Sequence, residues 1–298
     1  MNIKDCQYFQ KLSELKNFSD TARYFHVSQP TITYSLKRLE DEYGVKLVDR
    51  KSYANSLTLT HSGEQLLTHI KRILREDYLT KQDLARIKEK KIKMGLPPII
   101  TNYLLPEVFD QLRDENLLDL IEPVVDGSKE LLEELKKGHT DISLLGTTQL
   151  PEDAELKYEV IKTHYFKLIA SSKRNFNGPI DLTDLLKEDF ILTDNNSVHR
   201  QVFKRFTDRY NVIPKVIFET SDHHLLLNLI KANKGISFIA ETALYHEEGI
   251  QEVEVNNLKL PPFYILVIYR TNTLETPDFR KIIDIFTGIS TDNKKIVN

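Results

Sequence analysis

The sequence has very little of what holds a fold together covalently or through metals. Its 298 residues contain a single cysteine, Cys6, and no tryptophan. One thiol cannot form an intramolecular disulfide, a thiol-pair redox switch or a cysteine-rich zinc site. The composition therefore excludes a disulfide scaffold and a zinc finger.

Glycine is also scarce, and this bears on enzyme classes. None of the ten glycines is spaced as a dinucleotide fingerprint or a P-loop, and no G-x-S-x-G elbow occurs. The adjacent pair His223-His224 is poorly placed for one metal, since neighbours on a helix point about 100° apart. No acid pair is set apart for general acid/base work. We expect no enzyme, no cofactor and no metal.

Long apolar runs are missing as well. No segment offers the roughly 18 uninterrupted apolar residues of a membrane span. Lys4 and Asp5 interrupt the start of the chain, where a secretory signal would need an apolar run. We therefore expect a cytoplasmic protein without a membrane partner.

What is present is a division of charge along the chain. The overall net charge is −3, but residues 1–92 contain 17 Lys and Arg against 12 Asp and Glu, a net charge of +5. The remaining residues contain 24 against 32, a net charge of −8. A basic N-terminal part indicates a polyanion partner for that part alone, although a solvated surface is the other explanation.

The N-terminal residues show helical spacing. Apolar positions predict a first helix over residues 3–15, Ser19 is a good N-cap for a second short helix, and Ser28 for a third. Pro30 falls in the first turn of the third helix, where its missing N–H has no helical partner to lose. The predicted buried stripe of this helix is Ile32, Leu36 and Leu39.

Two helices joined by a tight turn, the second with polar residues outward, make a helix-turn-helix, whose second helix enters the major groove. Gln29 can bond an adenine edge, and two threonine methyls can touch thymine methyls. Basic and tyrosine side chains can reach phosphates. An amphipathic surface helix is the alternative. The candidate DNA-binding residues are Ser19, Ser28, Gln29, Pro30, Thr31, Thr33, Tyr34, Lys37, Arg38, Arg50 and Lys51.

After the third helix, residues 45–48 and 57–59 predict a strand pair that forms a wing. Residues 63–91 then read as one long helix without proline. Its narrow apolar stripe favours pairing with a second copy of the helix; packing on the chain's own core is the alternative. The stripe consists of Leu66, Ile70, Ile73, Leu84 and Ile87.

Past residue 93, strand patterns alternate with helix patterns. Such alternation predicts βαβ units and a largely parallel, helix-covered sheet. Because about 200 residues exceed one comfortable sheet, two subdomains are expected.

The chain resembles the LysR-type transcriptional regulators, a resemblance that covers its whole length. The N-terminal matches include Tyr8-Phe9, Val27-Ser28-Gln29-Pro30-Thr31, Gly44-Val45-Lys46-Leu47 and Ser62-Gly63, and the C-terminal matches include Leu104-Leu105-Pro106, Gly127-Ser128 and Gly235-Ile236-Ser237. The sequence departs from the family at Tyr34, where many relatives have arginine, and at residues 52–56, where they often have basic residues. Both departures predict weaker phosphate contacts.

The resemblance implies an α/β protein with an N-terminal all-α winged helix-turn-helix and a long linker helix. The implied domains are residues 1–60, the linker 61–92 and an effector-binding domain over 93–298. The last resembles periplasmic binding proteins: subdomain I covers 93–165 and 262–298, and subdomain II covers 166–261. A homodimer, commonly a homotetramer, would read an interrupted palindrome in double-stranded DNA, with RNA polymerase as a further expected partner.

The resemblance also implies a small-molecule effector between the subdomains. A catalytic α/β protein with a DNA-binding appendage and an effector-independent regulator stay open as alternatives. A closer likeness to one member of the family, in "VSQPTITYSLKRLE", "THSGEQ" and "GLPPIITNY", implies a small organic acid such as L-malate. Pro97-Pro98-Ile99 replaces the family's Ser or Thr, so a carboxylate would rely on N–H groups near Thr101 and Ser128, or on His199 or Arg200. The implied effector-binding residues are Pro98, Ile99, Ile100, Thr101, Gly127, Ser128, Leu145, Gly146, Asn195, Asn196, Ser197, His199, Thr220, Ser221 and Phe238.

Overall fold

A computed structural model describes residues 1–51, 56–176, 178–185, 187–256 and 258–292 of the chain. The chain divides into two compact units, residues 1–85 and residues 86–298. No helix in the described part is long and apolar enough to cross a membrane.

The first unit is a helical domain with a hairpin. Its elements are α1 (Ile3–Leu15), α2 (Phe18–Tyr24), α3 (Gln29–Tyr43), β1 (Val48–Lys51), β2 (Ser56–Leu59) and the first turns of α4 (His61–Glu89). β1 and β2 pair antiparallel, so the predicted wing strands are confirmed. Helix α3 ends at Gly44, whose φ of 67° lies in the left-handed region that glycine adopts without strain.

The start of α2 corrects one sequence expectation. Ser19 is not the N-cap; Asn17 is, and its Oδ1 accepts the N–H groups of Ser19 and Asp20 at 2.8 and 3.0 Å. The N-cap thus lies two residues earlier than predicted, because asparagine satisfies free N–H groups as well as serine does. Ser28 occupies the N-cap position of α3 as predicted, but its side chain makes no cap hydrogen bond; Pro30 lies in the first turn.

The predicted stripe of α3 forms the centre of the first unit's core. Ile32, Leu36 and Leu39 are 1%, 5% and 0% exposed. Ile70 from α4 belongs to the same cluster, and Leu66 packs against it. The first half of the long helix's stripe thus packs on its own chain, as the alternative interpretation held. Further along α4, Leu84 and Ile87 are 61% and 47% exposed in this chain.

The second unit alternates strands with helices. Its strands are β3 (Ile92–Gly95), β4 (Ile121–Val124), β5 (Ile142–Thr147), β6 (Leu156–Ser171), β7 (Asp189–Thr193), β8 (Lys215–Thr220), β9 (Ser237–Ala240), β10 (Ile250–Glu252) and β11 (Pro262–Arg270). Its helices are α5 (Pro98–Asp114), α6 (Ser128–Lys136), α7 (Leu182–Leu185), α8 (Val198–Arg209), α9 (His223–Lys231) and α10 (Pro277–Asp292), and 3-10 turns lie at Leu118–Leu120 and Glu241–Leu244.

The sheet of the second unit is only partly parallel. Its order is β10-β6-β11-β5-β3-β4, with β9 also paired to β6. β3 runs parallel to β4 and β5, and β7 runs parallel to β8. The prediction of a largely parallel sheet is wrong for β11, which pairs antiparallel with β5 and β6, and for β9 and β10, which pair antiparallel with β6.

Strand β6 explains this mixture. Its residues from Leu156 to Tyr165 pair with β11, and from Phe166 onward they pair with β9. β6 leads out of one half of the unit and β11 returns beside it, so the two strands must run in opposite directions. The predicted border between subdomains I and II, at residues 165 and 166, falls inside this continuous strand, where its partner changes.

A candidate nucleic-acid interface and a candidate ligand cleft

Helix α3 presents its polar residues on an accessible face. The turn before it places His26 at φ 54° and closes with the N–H of Val27 donating to the carbonyl of Ala22 at 3.0 Å. Tyr34 is 64% exposed. Seven of the candidate residues are exposed, namely Ser19, Ser28, Gln29, Pro30, Tyr34, Lys37 and Arg38, and two are half-buried, Thr31 and Thr33.

Two hydrogen bonds order the start of this face. Gln29 Nε2 donates to Thr33 Oγ1 at 3.1 Å, and the hydroxyls of Ser28 and Thr31 lie 2.9 Å apart. Among the described residues, the second N–H of Gln29 Nε2 and its Oε1 have no partner. Those two groups are the donor and acceptor that a bidentate contact with adenine uses. The side chain is therefore held in place with its reading groups open.

Arg38 has a structural contact that the sequence did not indicate. Its guanidinium pairs with Asp5 of α1, a buried carboxylate that also accepts from Ser35 Oγ at 2.5 Å. Burial opposes ionisation of Asp5, but the hydrogen bonds from Arg38 and Ser35 outweigh it, and the pKa of Asp5 lies below its ordinary value. Arg38 thus braces α3 against α1, and any phosphate contact must share this guanidinium.

The wing hairpin follows α3 in the chain. The backbones of Arg50 and Lys51 lie in β1. Their side chains, and residues 52–55, lie outside the described part of the chain. Phosphate contact by these two residues stays a prediction.

The second candidate site is a cleft built by four strand–helix junctions. β3 leads into α5, β4 into α6, β7 into α8 and β8 into α9, and each junction contributes residues to one cavity of about 950 Å³. Strand ends followed by helix N-termini bring free N–H groups together, which suits polar ligands. The volume lies within the range of small-molecule sites.

Most of the predicted effector-binding residues line this cleft. From one wall these are Pro98, Ile99, Ile100, Gly127 and Ser128, and from the other Asn195, Asn196, Ser197, His199, Thr220 and Ser221. Ser128 Oγ also accepts the N–H of Gly146 at 2.9 Å, which ties the start of α6 to β5.

Four predicted residues do not line the cleft, and each has another contact. The hydroxyl and N–H of Thr101 both donate to the carbonyl of Pro97 at 2.8 Å. Leu145 is 3% exposed within an apolar cluster. Gly146 lies under Phe263, and Phe238 is 1% exposed and stacks on Phe166 at 5.1 Å. These four residues thus lie outside the cavity lining, and effector contact by them stays a prediction.

The cleft also contains acidic residues that sequence reasoning missed. Asp126 and Glu130 lie on one wall, and Asp194 and Glu219 on the other. Arg200 donates to Glu219 Oε1 at 2.8 Å, so the arginine proposed for a ligand carboxylate is already paired. The lining among the described residues includes no lysine or arginine. Three of these acids directly adjoin predicted cleft residues in sequence, and Glu130 lies two residues from Ser128, which is the signal that could have found them.

His199 is the most buried titratable group of the cleft. It is 5% exposed and lies against Phe166 and Phe263, with ring centroids 5.6 and 5.4 Å away. Burial, together with the nearby His223, lowers the pKa of His199 to about 4. The imidazole is therefore neutral near pH 7. Its Nε2 has no hydrogen-bond partner among the described residues.

The His223-His224 pair lies at the start of α9, and His223 lines the cleft. Asn102 Nδ2 lies 3.1 Å from His223 Nε2 and 2.9 Å from His224 Nε2, which joins α5 to α9. Burial and repulsion from His224 lower the pKa of His223. No group of three or more potential metal ligands occurs among the residues that the structure describes.

Comparison with protein families matches both units. Residues 3–64 match the family described as bacterial regulatory helix-turn-helix protein, lysR family. Residues 86–288 match the LysR substrate binding domain. Together these matches cover most of the chain.

Known proteins similar to the chain include one curated relative above 30% identity. The malolactic fermentation system transcriptional activator of Lactococcus lactis subsp. lactis is 33% identical over 96% of this chain and 98% of its own length. Among solved structures, Vibrio fischeri DarR in complex with DNA shares the fold with a TM-score of 0.56 at 18% identity, over 97% of this chain and 99% of its own. The Corynebacterium glutamicum OxyR C206 mutant has a TM-score of 0.54 at 22% identity, over 98% and 92%.

Proposed function

Because the chain belongs to the LysR family of transcriptional regulators, we propose that it reads a specific operator and alters transcription when a small organic acid occupies its cleft. The observation that carries this proposal is the ordered polar face of α3. Gln29 is held by Thr33 with one donor and one acceptor open. Such a helix offers a defined pattern of hydrogen-bond donors and acceptors to the edges of the DNA bases, and not only a diffuse positive charge.

We propose that the operator is an interrupted palindrome read by a homodimer. Leu84 and Ile87 continue the apolar stripe of α4 and are exposed in the single chain. Covering them with the same stripe of a second copy removes apolar surface from water and delivers two copies of α3. A homotetramer and contact with RNA polymerase are further expectations for this protein.

The effector belongs in the cleft of the second unit. The relative from Lactococcus lactis is a malolactic fermentation activator by name, which supports a small organic acid and makes L-malate one acid to test. It also supports a role as an activator. Relatives that are regulators by name support a binding role for this cleft in place of catalysis, and we propose no cofactor.

Footprinting tests the proposal with the full chain on the DNA immediately upstream of its own gene. We expect protection of two half-sites about one or two helical turns apart, centre to centre. We expect the pattern to change with an acid that binds the cleft. Absence of protection at salt concentrations where non-specific binding is weak would overturn the proposal.

A further inference from the structure

The charges of the cleft restrict which organic acid fits it, an inference that rests on the proposed function. Asp126 and Glu130 face the cavity from one wall and Asp194 from the other, without a lysine or arginine partner among the described residues. Asp194 and Glu130 are half-buried. Carboxylates that line one cavity repel an anion and attract a cation. A dianion would therefore enter a site of its own sign.

One helix N-terminus in the cleft still favours a carboxylate. The cleft ends of the other three helices are compensated, since α6 has Glu130 in its first turn, Ser197 caps α8, and Asp222 caps α9. α5 begins after Pro97 with neither a side-chain cap nor an acid in its first turn. The N–H groups of Ile99 and Ile100 there have no partner among the described residues. These groups and the helix dipole suit a single carboxylate.

The wall of the cleft also contains a buried histidine, His199. A buried polar atom without a partner costs free energy, so native proteins rarely leave one unsatisfied. His199 Nε2 is such an atom on a side chain that lines the cavity. As a neutral imidazole it can accept an N–H or O–H from a ligand but adds no positive charge for a second carboxylate.

We propose that the effector is a zwitterion, a small carboxylic acid that also has a protonated amine, as in an α-amino acid. Its carboxylate binds the N–H groups at the start of α5. Its ammonium group lies among Asp126, Glu130 and Asp194, and His199 accepts one further hydrogen bond. The two charged ends of the ligand thus meet the two kinds of charge that the cleft offers.

Pairs of acids in which a hydroxyl group replaces the amine test this proposal. L-aspartate and L-malate share one skeleton, as do L-alanine and L-lactate. We would screen the full chain against the standard L-amino acids and their hydroxy-acid counterparts by thermal shift, and titrate each hit by calorimetry. We expect at least one amino acid to bind, with its hydroxy acid weaker by roughly tenfold or more.

Isosteric variants then locate the ammonium group. Asp194→Asn and Glu130→Gln retain size and hydrogen bonding, and each should reduce the affinity for the amino acid by roughly tenfold while leaving the hydroxy acid unchanged or stronger. Glu133→Gln, on the exposed side of α6 and outside the cleft, is the matched control and should bind as the wild type does. Melting curves of each variant without ligand establish that it is folded.

Two results would overturn the zwitterion. One is that no amino acid binds; the other is that a hydroxy acid such as L-malate binds as tightly as its amine counterpart. If L-malate binds and changes the footprint, this inference fails while the proposed function stands. If the operator is not protected at all, the proposed function fails whatever the cleft binds.

Discussion

Gln29 is the residue on which recognition of the DNA sequence should depend most. In Gln29→Ala, the contact to a base edge is lost while phosphate contacts persist. Discrimination between the protected operator and a scrambled duplex should therefore fall by about 1–3 kcal/mol, roughly 5- to 150-fold. Affinity for the scrambled duplex should hardly change, because that binding comes from phosphates. Fluorescence anisotropy on both duplexes at one salt concentration measures the ratio.

Gln111→Ala is the control for this substitution. Gln111 is an exposed glutamine on α5 in the second unit, so the same truncation there should leave the ratio at its wild-type value. Wild-type discrimination in Gln29→Ala would show that α3 does not read bases through this residue.

His199 should make the stability of the second unit depend on pH. Its pKa in the folded protein is about 4, below the ordinary value of 6.5, so the unfolded chain takes up the proton first as the pH falls. The stabilisation is complete above pH 6.5 and is lost as the pH falls toward 4, by roughly 3 kcal/mol for a shift of this size. The half-buried His164, with a pKa also lowered to about 4 by burial, changes stability in the same direction.

Urea unfolding between pH 7 and pH 4 tests this dependence. We expect His199→Leu to flatten the slope of unfolding free energy against pH, leaving the smaller contribution of His164. His61→Leu, at a fully exposed histidine of the first unit, should keep the wild-type slope. An unchanged slope in His199→Leu would mean that the imidazole is protonated in the folded state.

At the scale of elements, the sequence predicted what local patterns determine. The bounds of α1 match the predicted residues 3–15, and the stripe of α3 is buried as expected. The cap of α2 was assigned to Ser19 because serine and asparagine are both good caps, and spacing alone does not choose between Asn17 and Ser19. Helix periodicity is thus more informative than the identity of the terminal residue.

The sequence predicted those cleft residues that directly follow a strand. It did not predict those that reach the cleft from a distant part of the chain. Asn195, Ser197 and Thr220 lie at strand–helix junctions that the sequence pattern locates. Phe263 enters the same cavity from β11, far along the chain, and no local pattern indicates that meeting. Antiparallel pairing of β11 was unpredictable for the same reason, because register and direction depend on partners distant in sequence.

Two glycine substitutions should change stability in opposite directions because their surroundings differ. A Cβ on Gly146 would lie 2.2 Å from Phe263 Cζ and 3.1 Å from Ile100 Cδ1. Gly146→Ala must therefore displace a buried ring that lines the cleft, and we expect the second unit to lose about 1–3 kcal/mol. Gly288 lies within α10 with nothing within 4 Å of an added Cβ, so Gly288→Ala should stabilise it by about 0.5–1 kcal/mol.

Urea unfolding of both variants measures these changes, and calorimetry adds a second readout for Gly146→Ala. A displaced Phe263 narrows the cleft, so this variant should also bind the effector more weakly, whereas Gly288→Ala should bind it as the wild type does. Equal stability of Gly146→Ala and the wild type would show that the ring of Phe263 can move away from Gly146 without loss of unfolding free energy.

For the whole molecule, helix α4 is the element shared by both units. Its first turns belong to the core of the first unit through Ile70. In its last turn, Arg86 pairs with the buried Asp141 and donates to the carbonyl of Gly138 in the second unit. Removal of either partner would leave a buried charge, so this end of the helix is fixed to β5 and its flanking turn. The exposed residues of the stripe, Leu84 and Ile87, flank Arg86 near this end of the helix.

That exposed part should determine whether two recognition helices act together. Leu84→Lys and Ile87→Lys each place a charge in the proposed dimer seam, where burying it would cost more than the leucine or isoleucine contributed. We expect both variants to shift toward monomer in sedimentation velocity. Their affinity for a duplex with both half-sites should fall toward that for a single half-site, a loss of roughly 100-fold or more, because the linkage between sites is lost.

Leu274→Lys provides the matched control, since Leu274 is 59% exposed in a loop of the second unit. It should remain dimeric and retain the wild-type preference for two half-sites over one. The single half-site affinity should be equal in all three variants, because none of them changes α3. If Leu84→Lys and Ile87→Lys stay dimeric and keep the preference, the stripe of α4 is not the seam, and another surface must pair the two recognition helices.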